Sequence, residues 1–353
     1  MRPIASVEWL TQHAALETAG QRVLSSLVTQ HGVPLGFTRL DVAFPSADPT
    51  TFQLLEVQAG DPSAMGWADA LADALGGHAT LMPSHRAVFE ALTPGRRIAF
   101  CVLDGSIVES DHELLREHYA SNGWEALRVD PRELSWNGTH LLARGRPVDA
   151  LFRDALDELF ELPSSRTGGQ ALRHALAANA VVLMNPLAAA GGDDKSLLEP
   201  LSHELPALVP WTRVVREREV DWNGREVALR ELLRDEAREL VLKPVDGYGG
   251  FGITLGRFVD GPTWQKAVDE ALTQPGRFIV QRFTPLPRAH VEILDGREFR
   301  TMEAWVVHSL WFHPTPGAPS FQLVGGYRRA SVAPVVNVHQ GGGLGVVCWK
   351  RSF

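Results

Sequence analysis

The chain has 353 residues, of which 44% are hydrophobic and 22% charged, as expected of a soluble globular protein with two or three domains. Its formal net charge of −8, without a long basic run, excludes nucleic acid as an expected partner. No run of about 18 apolar residues could span a membrane, no secretory signal opens the chain, and only two cysteines occur, which together predict a cytoplasmic location.

The first 75 residues predict two helices around a pair of strands. Apolar residues recur at helical spacing over residues 6–30, which predicts the first helix. Two strands follow, over residues 36–44 and 52–58, with the polar turn 45–51 between them. A second helix is predicted from about residue 63 to residue 75.

The middle of the chain predicts a small parallel sheet. Residues 97–103 read as an apolar strand, and residues 111–122 as a helix with Asp111 as its N-cap. Residues 126–129 begin another strand. This β-α-β alternation predicts an α/β domain over roughly residues 93–160.

The second half of the chain continues with mixed elements. A polar joint precedes a helix, a short strand and a glycine-rich loop that leads to Lys195, and further strands come later. In order these are the joint 164–169, the helix 170–179, the strand 180–184, the loop 191–194, and the strands 278–281 and 301–308.

A glycine-rich stretch, VLKPVDGYGGFGITLGRF over residues 241–258, contains the pattern G-x-G-x-x-G. In a dinucleotide-binding fold such glycines open a helix, yet here β-branched and apolar residues follow them. A P-loop also fails, because no Gly-Lys-Ser/Thr follows. The glycines therefore predict a hairpin flap that donates backbone N–H groups to phosphates, and a glycine-rich surface hairpin without a ligand is the alternative.

Polar side chains alternate along the two strands that follow the first helix. Arg39 and Asp41 are two residues apart on one strand, and Glu56 and Gln58 on the next, so each pair faces one side. If the strands pair, two carboxylates and an amide oxygen converge, which suits Mg²⁺. A polar outer face of a hairpin is the alternative.

Three further groups of residues are candidates for ligand binding. Lys195 after the 191–194 loop and Lys243 before the flap could neutralise phosphates. The strand end with Gln281 and Phe283 could offer backbone groups to a base, although an ordinary buried strand is the alternative. The C-terminal tail carries residues suited to anion recognition, namely Arg300, Arg328, Arg329, Asn337 and His339. Arg329 is expected to be a solvated neighbour of Arg328, and Asn337 and His339, two residues apart, are expected to share one face of a strand.

Taken together, these motifs resemble the ATP-grasp superfamily in its circularly permuted form, the group related to glutathionylspermidine synthase. The order of the motifs carries the resemblance. In an ordinary ATP-grasp ligase the metal-binding carboxylates come last in the sequence. Here the motifs that resemble them, Arg39-Leu-Asp41 and the LEVQAGDP segment ending at Pro62, come first. Phe152-Arg153, the segment up to Lys195, the flap and Gly325-Gly-Tyr-Arg328 follow in the family's order. Gln58 departs from the asparagine usual in the family.

The resemblance implies an α/β (α+β) fold, a circularly permuted ATP-grasp with a small βαβ pre-grasp domain. It divides the chain into residues 1–92, which carry the metal-binding carboxylates, the pre-grasp domain 93–163, and residues 164–353, which carry the lysines, the flap and the C-terminal core strands. It also implies ATP and Mg²⁺ as ligands, and a carboxylate and an amine as substrates. The oligomeric state is left open.

The resemblance further implies an ATP-dependent ligase that forms an amide bond through an acylphosphate and releases ADP and phosphate. Its site residues fall into three sets. The metal ligands are Asp41, Glu56 and Gln58, the catalytic residues are Arg39, Arg328 and Arg300, and the nucleotide-binding residues are Lys195, Lys243, Gly247, Tyr248, Gly249, Gly250, Gly252, Gln281 and Phe283. A phosphotransferase, a non-catalytic nucleotide-binding protein and an NAD(P)-binding oxidoreductase are the alternatives.

Overall fold

A computed structural model gives the fold and describes residues 2–46, 49–154 and 162–349, together with all their side chains except those of Asp295 and His339. Eight α-helices lie in these ranges. They are α1 (His13–Thr29), α2 (Met65–Ala74), α3 (Leu81–Leu92), α4 (Glu109–Ser121), α5 (Arg166–Ala177), α6 (Leu198–Glu204), α7 (Leu229–Asp235) and α8 (Gly261–Thr273). No helix in the described ranges is both long and apolar enough to cross a membrane.

The same ranges contain twenty strands. The first ten are β1 (Arg2–Leu10), β2 (Thr38–Ala43), β3 (Gln53–Gln58), β4 (Arg97–Val102), β5 (Glu125–Val129), β6 (Leu134–Trp136), β7 (Leu141–Ala143), β8 (Arg146–Val148), β9 (Ala150–Asp154) and β10 (Val182–Leu183). The others are β11 (Thr212–Val214), β12 (Glu219–Trp222), β13 (Arg225–Ala228), β14 (Leu240–Pro244), β15 (Thr254–Leu255), β16 (Phe278–Arg282), β17 (Arg288–Asp295), β18 (Glu298–Pro314), β19 (Phe321–Ser331) and β20 (Gly343–Trp349).

The largest sheet is built from both ends of the chain. Its order is β17-β1-β20-β19-β18-β2-β3, so strands from the first 58 residues lie among strands that follow residue 287. Strand β2 pairs antiparallel with β18, and β1 pairs parallel with β20. Helix α1 covers one face of this sheet and buries Leu16, Val23, Leu24 and Leu27. The fold therefore brings the N-terminal carboxylates next to the C-terminal arginines.

The predicted helix over residues 6–30 is only partly correct. Its first residues belong to strand β1, and the helix begins at His13. Ile4 and Leu10 are buried in this strand, which is hydrogen-bonded to β20 and β17. Because those partners lie almost 300 residues or more further along the chain, the local spacing of apolar residues could not reveal the pairing.

The predicted parallel sheet is present, with the order β10-β9-β4-β5 and every pairing parallel. It extends beyond the predicted boundary at residue 163, because β10 (Val182–Leu183) joins its edge. Helix α5 also packs its Ala171 and Leu172 into the same core, and it begins inside the predicted polar joint 164–169. The α/β unit thus reaches about Leu183; residues 155–161 lie outside the described ranges.

The sequence predicted that Asp111 caps its own helix, but it does not. Helix α4 begins two residues earlier, and the buried Asp111 carboxylate accepts hydrogen bonds from the backbone N–H groups of Ala64 (2.8 Å) and Trp67 (2.9 Å). These groups lie at the start of α2, so Asp111 caps a neighbouring helix and ties the α/β unit to the large sheet.

A third sheet carries the glycine-rich stretch. Its order is β11-β16-β14-β15, and helices α7 and α8 cover it through Leu233, Trp264 and Val268. Strand β14 pairs antiparallel with β15 and with β16. The segment on either side of the glycines is therefore held on a packed sheet, which fixes the root of the loop.

A buried histidine of the α/β unit should make the protein sensitive to acid. Burial lowers the pKa of His112 from 6.5 to about 4, and its Nε2 has no hydrogen-bond partner among the described residues. The stability that neutral His112 contributes is therefore present above pH 6.5 and lost as the pH falls towards 4. We expect the free energy of unfolding of wild type, relative to that of His112→Leu, to fall by roughly 2 kcal/mol between about pH 7 and about pH 4.5.

Denaturant titrations of both proteins at the two pH values measure this difference. Carboxyl groups that titrate in the same window are common to both proteins, so their contributions cancel in the comparison. A difference that does not change with pH would show that His112 is not held neutral by the fold.

Candidate functional site

The candidate site begins with the pairing of β2 and β3, which the sequence predicted. Asp41 lies opposite Glu56, and Arg39 lies opposite Gln58, so the four polar residues form two cross-strand pairs on one face of the sheet. Leu40, which pairs with Val57, is fully buried in the hydrophobic core. The alternation of side chains along the strands therefore separates a polar face from an apolar one.

Asp41 is held by two arginines and a serine. Arg39 donates from Nε to Oδ1 (3.0 Å) and from Nη2 to Oδ2 (3.1 Å). Arg329 Nη2 lies 2.8 Å from Oδ2, and Ser309 Oγ donates to Oδ1 at 2.7 Å. Burial alone would raise the pKa of Asp41, but the charges of Arg329 and Arg39 lower it to about 2. Asp41 is therefore a fixed carboxylate at neutral pH.

Glu56 and Lys195 form the second charged pair of the site. Lys195 Nζ lies 3.0 Å from Glu56 Oε1 and also donates to the backbone carbonyl of Gly247 in the glycine loop. Gln58 donates from Nε2 to Glu56 Oε1 at 3.2 Å. The Lys195 side chain is buried, which is unusual for lysine and identifies it as part of a built site.

Lys243 lies in the same cleft, close to the backbone of β3. Its Nζ donates to Leu55 O (3.1 Å) and to Gln281 Oε1 (2.6 Å), while Gln281 Nε2 donates to Thr212 Oγ1 (3.0 Å). Burial lowers the pKa of Lys243 to about 8, although Glu56 counteracts this. Gln281 therefore orients the ammonium group from the neighbouring strand.

The glycine loop joins two antiparallel strands, as the sequence predicted. Gly249, Gly250 and Gly252 have positive φ of 65°, 74° and 72°, a conformation that glycine adopts at little cost. A Cβ on Gly250 would lie 3.0 Å from Val335, so the loop tip packs closely against the C-terminal segment. Because strand β15 follows the loop and the next helix begins only at Gly261, the dinucleotide-binding interpretation does not fit.

The rest of the loop is open to solvent. Tyr248 is 74% exposed and Phe251 60% exposed. Gln340 donates from Nε2 to Gly249 O at 3.2 Å, and Lys195 donates to Gly247 O. The backbone of the loop is thus tied to both sides of the cleft while its aromatic rings point outward.

These elements line a cleft that opens to solvent. One part of its lining is charged or polar and includes Asp41, Glu56, Lys243, Gln281 and Arg329. The other part is apolar and comprises Val241, Ile253, Leu255, Phe283, Leu286, Val307 and Val336. This lining suits a ligand that has a charged group at one end and an apolar ring at the other.

The strand end after β16 contributes less backbone than predicted. Phe283 lines the cleft, but its N–H donates to Glu239 O at 2.7 Å. The N–H of Arg282 likewise donates to Trp211 O at 2.7 Å. These two donors are therefore committed to the protein itself, and Phe283 contributes its ring surface to the cleft.

The structure corrects the choice of arginine on β19. Arg328 faces away from the cleft and contacts Glu8 (3.2 Å) and Ser6 Oγ (2.7 Å). Arg329, which the sequence suggested was a solvated neighbour, is buried, lines the cleft and pairs with Asp41. Adjacent residues of a strand face opposite sides, and no local signal in the Gly-Gly-Tyr-Arg-Arg run indicates which arginine faces inward.

Two other predictions for the C-terminal tail also change. Arg300 lies at the exposed start of β18, opposite Ile293, and the lining of the cleft in the described chain does not include it. Asn337 lines the cleft but precedes a short 3₁₀ helix, Val338–Gln340, instead of lying on a strand. The side chain of His339 is outside the described residues.

The donor set suits a hard cation that obtains part of its shell from a ligand. Asp41 and Glu56 supply carboxylate oxygens, and Gln58 adds an amide oxygen on the same face. Within the described ranges, no group of three or more His, Cys, Asp or Glu residues could hold a metal ion. Mg²⁺ fits such a sparse set, because it commonly takes one or two carboxylates and completes its shell with water and phosphate oxygens.

Comparison with known proteins agrees with this architecture. Residues 140–281 match the family model described as "a circularly permuted ATPgrasp". Uncharacterized proteins of Mycobacterium tuberculosis and Mycobacterium bovis are 32% identical over 212 residues, which cover 56% of this chain and 36% of theirs. The chain thus spans about a third of the length of these relatives.

One solved structure has a similar fold at low sequence identity. A glutathione synthetase-like effector from Globodera pallida superposes with a TM-score of 0.53 and 11% identity, covering 96% of this chain and 81% of the effector. D-cycloserine synthetase DcsG gives a TM-score of 0.35 at 18% identity over 67% of this chain and 75% of that one. Residues 140–281 are thus similar to circularly permuted ATP-grasp proteins, and the fold as a whole is similar to that of the glutathione synthetase-like effector.

Proposed function

We propose that this protein is an ATP- and Mg²⁺-dependent ligase that joins a carboxylate to an amine and releases ADP and phosphate. One observation carries the proposal: Asp41, Glu56 and Lys243 line a single cleft, beneath a glycine loop whose Gly250 contributes to the same lining. The two carboxylates come from the N-terminal strands, and the lysine comes from β14. The match of residues 140–281 to the circularly permuted ATP-grasp model supports nucleotide-dependent ligation in general.

The polar residues that line the cleft, together with Lys195 and Gln58, which contact Glu56 beside it, can each be given a role. Lys195 and Lys243 would bind the phosphates of ATP, and Arg329 would stabilise the charge on the transferred phosphoryl group. Asp41, Glu56 and Gln58 would hold Mg²⁺, which would neutralise phosphate charge when bound. The apolar lining around Ile253 and Phe283 would take the base, and the glycine loop would exclude water.

The proposed reaction proceeds in two transfers. A carboxylate oxygen of the first substrate attacks the γ-phosphorus of ATP, the bond to the β-phosphate oxygen breaks, and ADP leaves. The amine of the second substrate then attacks the acyl carbon, phosphate leaves and the amine loses one proton. Exclusion of water matters most between these steps, because water would hydrolyse the acylphosphate.

The direct test is an assay for ADP release. We expect purified protein with ATP and Mg²⁺ to release ADP only when both a carboxylic acid and an amine are supplied, and mass spectrometry should find a product of their combined mass less one water. Pools of amino acids and polyamines provide the substrates. ADP formed with a phosphorylated alcohol would identify a phosphotransferase instead, and ATP binding without turnover would identify a nucleotide-binding protein.

A further inference from the structure

Arg153 is a buried arginine whose hydrogen bonds the described structure does not complete. Its side chain is 1% exposed, and its Nε and Nη1 have no hydrogen-bond partner among the described residues. Its recorded bond is long, from Nη2 to Asn185 O at 3.4 Å. Buried N–H groups without a hydrogen-bond partner are unfavourable, so an arginine kept in this state points to a ligand.

The position of Arg153 in the α/β sheet points to the same conclusion. It is the penultimate residue of β9, at the carboxyl end of a parallel sheet. In the sheet order β10-β9-β4-β5, the strand that follows β4 in sequence lies on one side of the central pair, and the strand that follows β9 lies on the other side. The direction in which strands are added to the sheet therefore reverses between β4 and β9. In open α/β sheets, ligands bind at this reversal, outside the carboxyl ends of the strands.

The surroundings of Arg153 connect it to the candidate cleft. Asn185, whose carbonyl faces Arg153, also bonds through its side chain to Phe37 N (2.9 Å) and Ala59 O (2.5 Å). Asp193 accepts from Ala59 N (2.5 Å) and Gly60 N (3.1 Å). Ala59 directly follows Gln58, so this turn leads from the proposed metal ligands to the edge of the α/β sheet.

The acidic residues nearby do not fully compensate the guanidinium. Burial lowers the pKa of Arg153, although the charges of Asp61 and Asp193 counteract this. Burial and the neighbouring Asp61 raise the pKa of Asp193 to about 7, so near neutral pH it is only partly ionised. A further anion placed beside Arg153 would therefore be stabilised.

We propose that Arg153 is the residue that recognises a carboxylate group of the acid substrate, at the junction of the Ala59–Asp61 turn and the carboxyl end of β9. Its unpaired N–H groups would make charge-assisted hydrogen bonds to carboxylate oxygens. This assignment deepens the proposed ligase function by locating the acid next to Gln58, but its test does not depend on turnover.

The test is a thermal-shift titration with acetate, succinate, L-glutamate and citrate, each compared with sodium chloride at the same ionic strength. We expect at least one carboxylate to stabilise wild type and Arg97→Gln, and its apparent affinity to fall at least about tenfold in Arg153→Gln. Arg97 lies on β4 of the same sheet and pairs with Asp149 at the surface, which makes Arg97→Gln the matched control.

Two further measurements separate recognition from folding and from turnover. Arg153→Lys keeps the charge and should restore part of the response, and MgATP should stabilise Arg153→Gln as it does wild type. If no carboxylate stabilises wild type beyond chloride, or if Arg153→Gln and Arg153→Lys respond as wild type does, the assignment is wrong. Arg153-dependent carboxylate binding without ADP release would instead reject the ligase reaction and keep the assignment.

Discussion

Replacing Lys243 by methionine should reduce ATP-dependent ADP release by on the order of 100- to 1000-fold. The ammonium group lies on the polar side of the cleft, fixed by Leu55 O and Gln281. Methionine fills a similar volume without charge, so the phosphates would lose a fixed cation while the packing is kept. Coupled detection of ADP, with a saturating pair of substrates, measures the loss.

The same variant should remain folded, because the lysine does not favour the nucleotide-free fold. Burial lowers the pKa of Lys243 from 10.5 to about 8, so Lys243 is still mainly charged at neutral pH but its charge destabilises the folded state relative to the unfolded one. Removing this charge offsets the two hydrogen bonds that are lost. Lys266→Met, at an exposed position of α8, is the control and should behave as wild type. A Lys243→Met protein with normal melting and normal turnover would remove Lys243 from the proposed site.

The parts of the site that the sequence predicted are those encoded by local patterns. Alternation along two short strands placed Asp41 and Glu56 on one face, and the observed register puts them opposite each other. Four glycines between strand-like segments predicted the hairpin that β14 and β15 form. In both cases the decisive contacts join residues less than 20 positions apart, so a short window of sequence contains both partners.

The parts that the sequence did not predict depend on distant partners. Strand β1 forms because β20 and β17 pair with it. The α/β unit extends beyond the predicted boundary at residue 163 because β10 pairs with β9. Arg328 and Arg329 are neighbours of the same type, and only the pairing of β19 with β18 and β20 decides which one faces Asp41. Local sequence propensity does not indicate which of the two arginines faces the cleft, because either one satisfies the same pattern.

The circular permutation explains why these long-range contacts matter for function. The carboxylates lie on β2 and β3, while Lys195, Lys243 and Arg329 come from the turn that precedes α6, from β14 and from β19. The large sheet fixes Asp41 beside Arg329, and the third sheet brings Lys243 to Leu55. Any change that loosens the contact between β2 and β18 should therefore disturb the charged end of the cleft before it disturbs the apolar end.

Asp41 and Glu56 should differ in what their removal costs, although both are proposed to hold Mg²⁺. Asp41→Asn leaves Arg39 and Arg329, both buried, without their shared counter-charge, so we expect the free energy of unfolding to fall by about 3–5 kcal/mol. Glu56→Gln should cost only about 1 kcal/mol, because Glu56 is 22% exposed and Lys195 keeps its bond to Gly247 O. Denaturant titrations of the two variants measure these differences.

Magnesium-dependent nucleotide binding separates the functional role from the structural one. Glu56→Gln should stay folded yet bind ATP with a weaker dependence on Mg²⁺ in a calorimetric titration, because one of only two carboxylate ligands is lost. Asp235→Asn, which removes an exposed carboxylate paired with Arg234, is the control and should change neither stability nor binding. An unchanged magnesium titration for Glu56→Gln would exclude Glu56 from the metal site. An Asp41→Asn protein as stable as wild type would mean that Arg39 and Arg329 do not need Asp41 as their counter-charge.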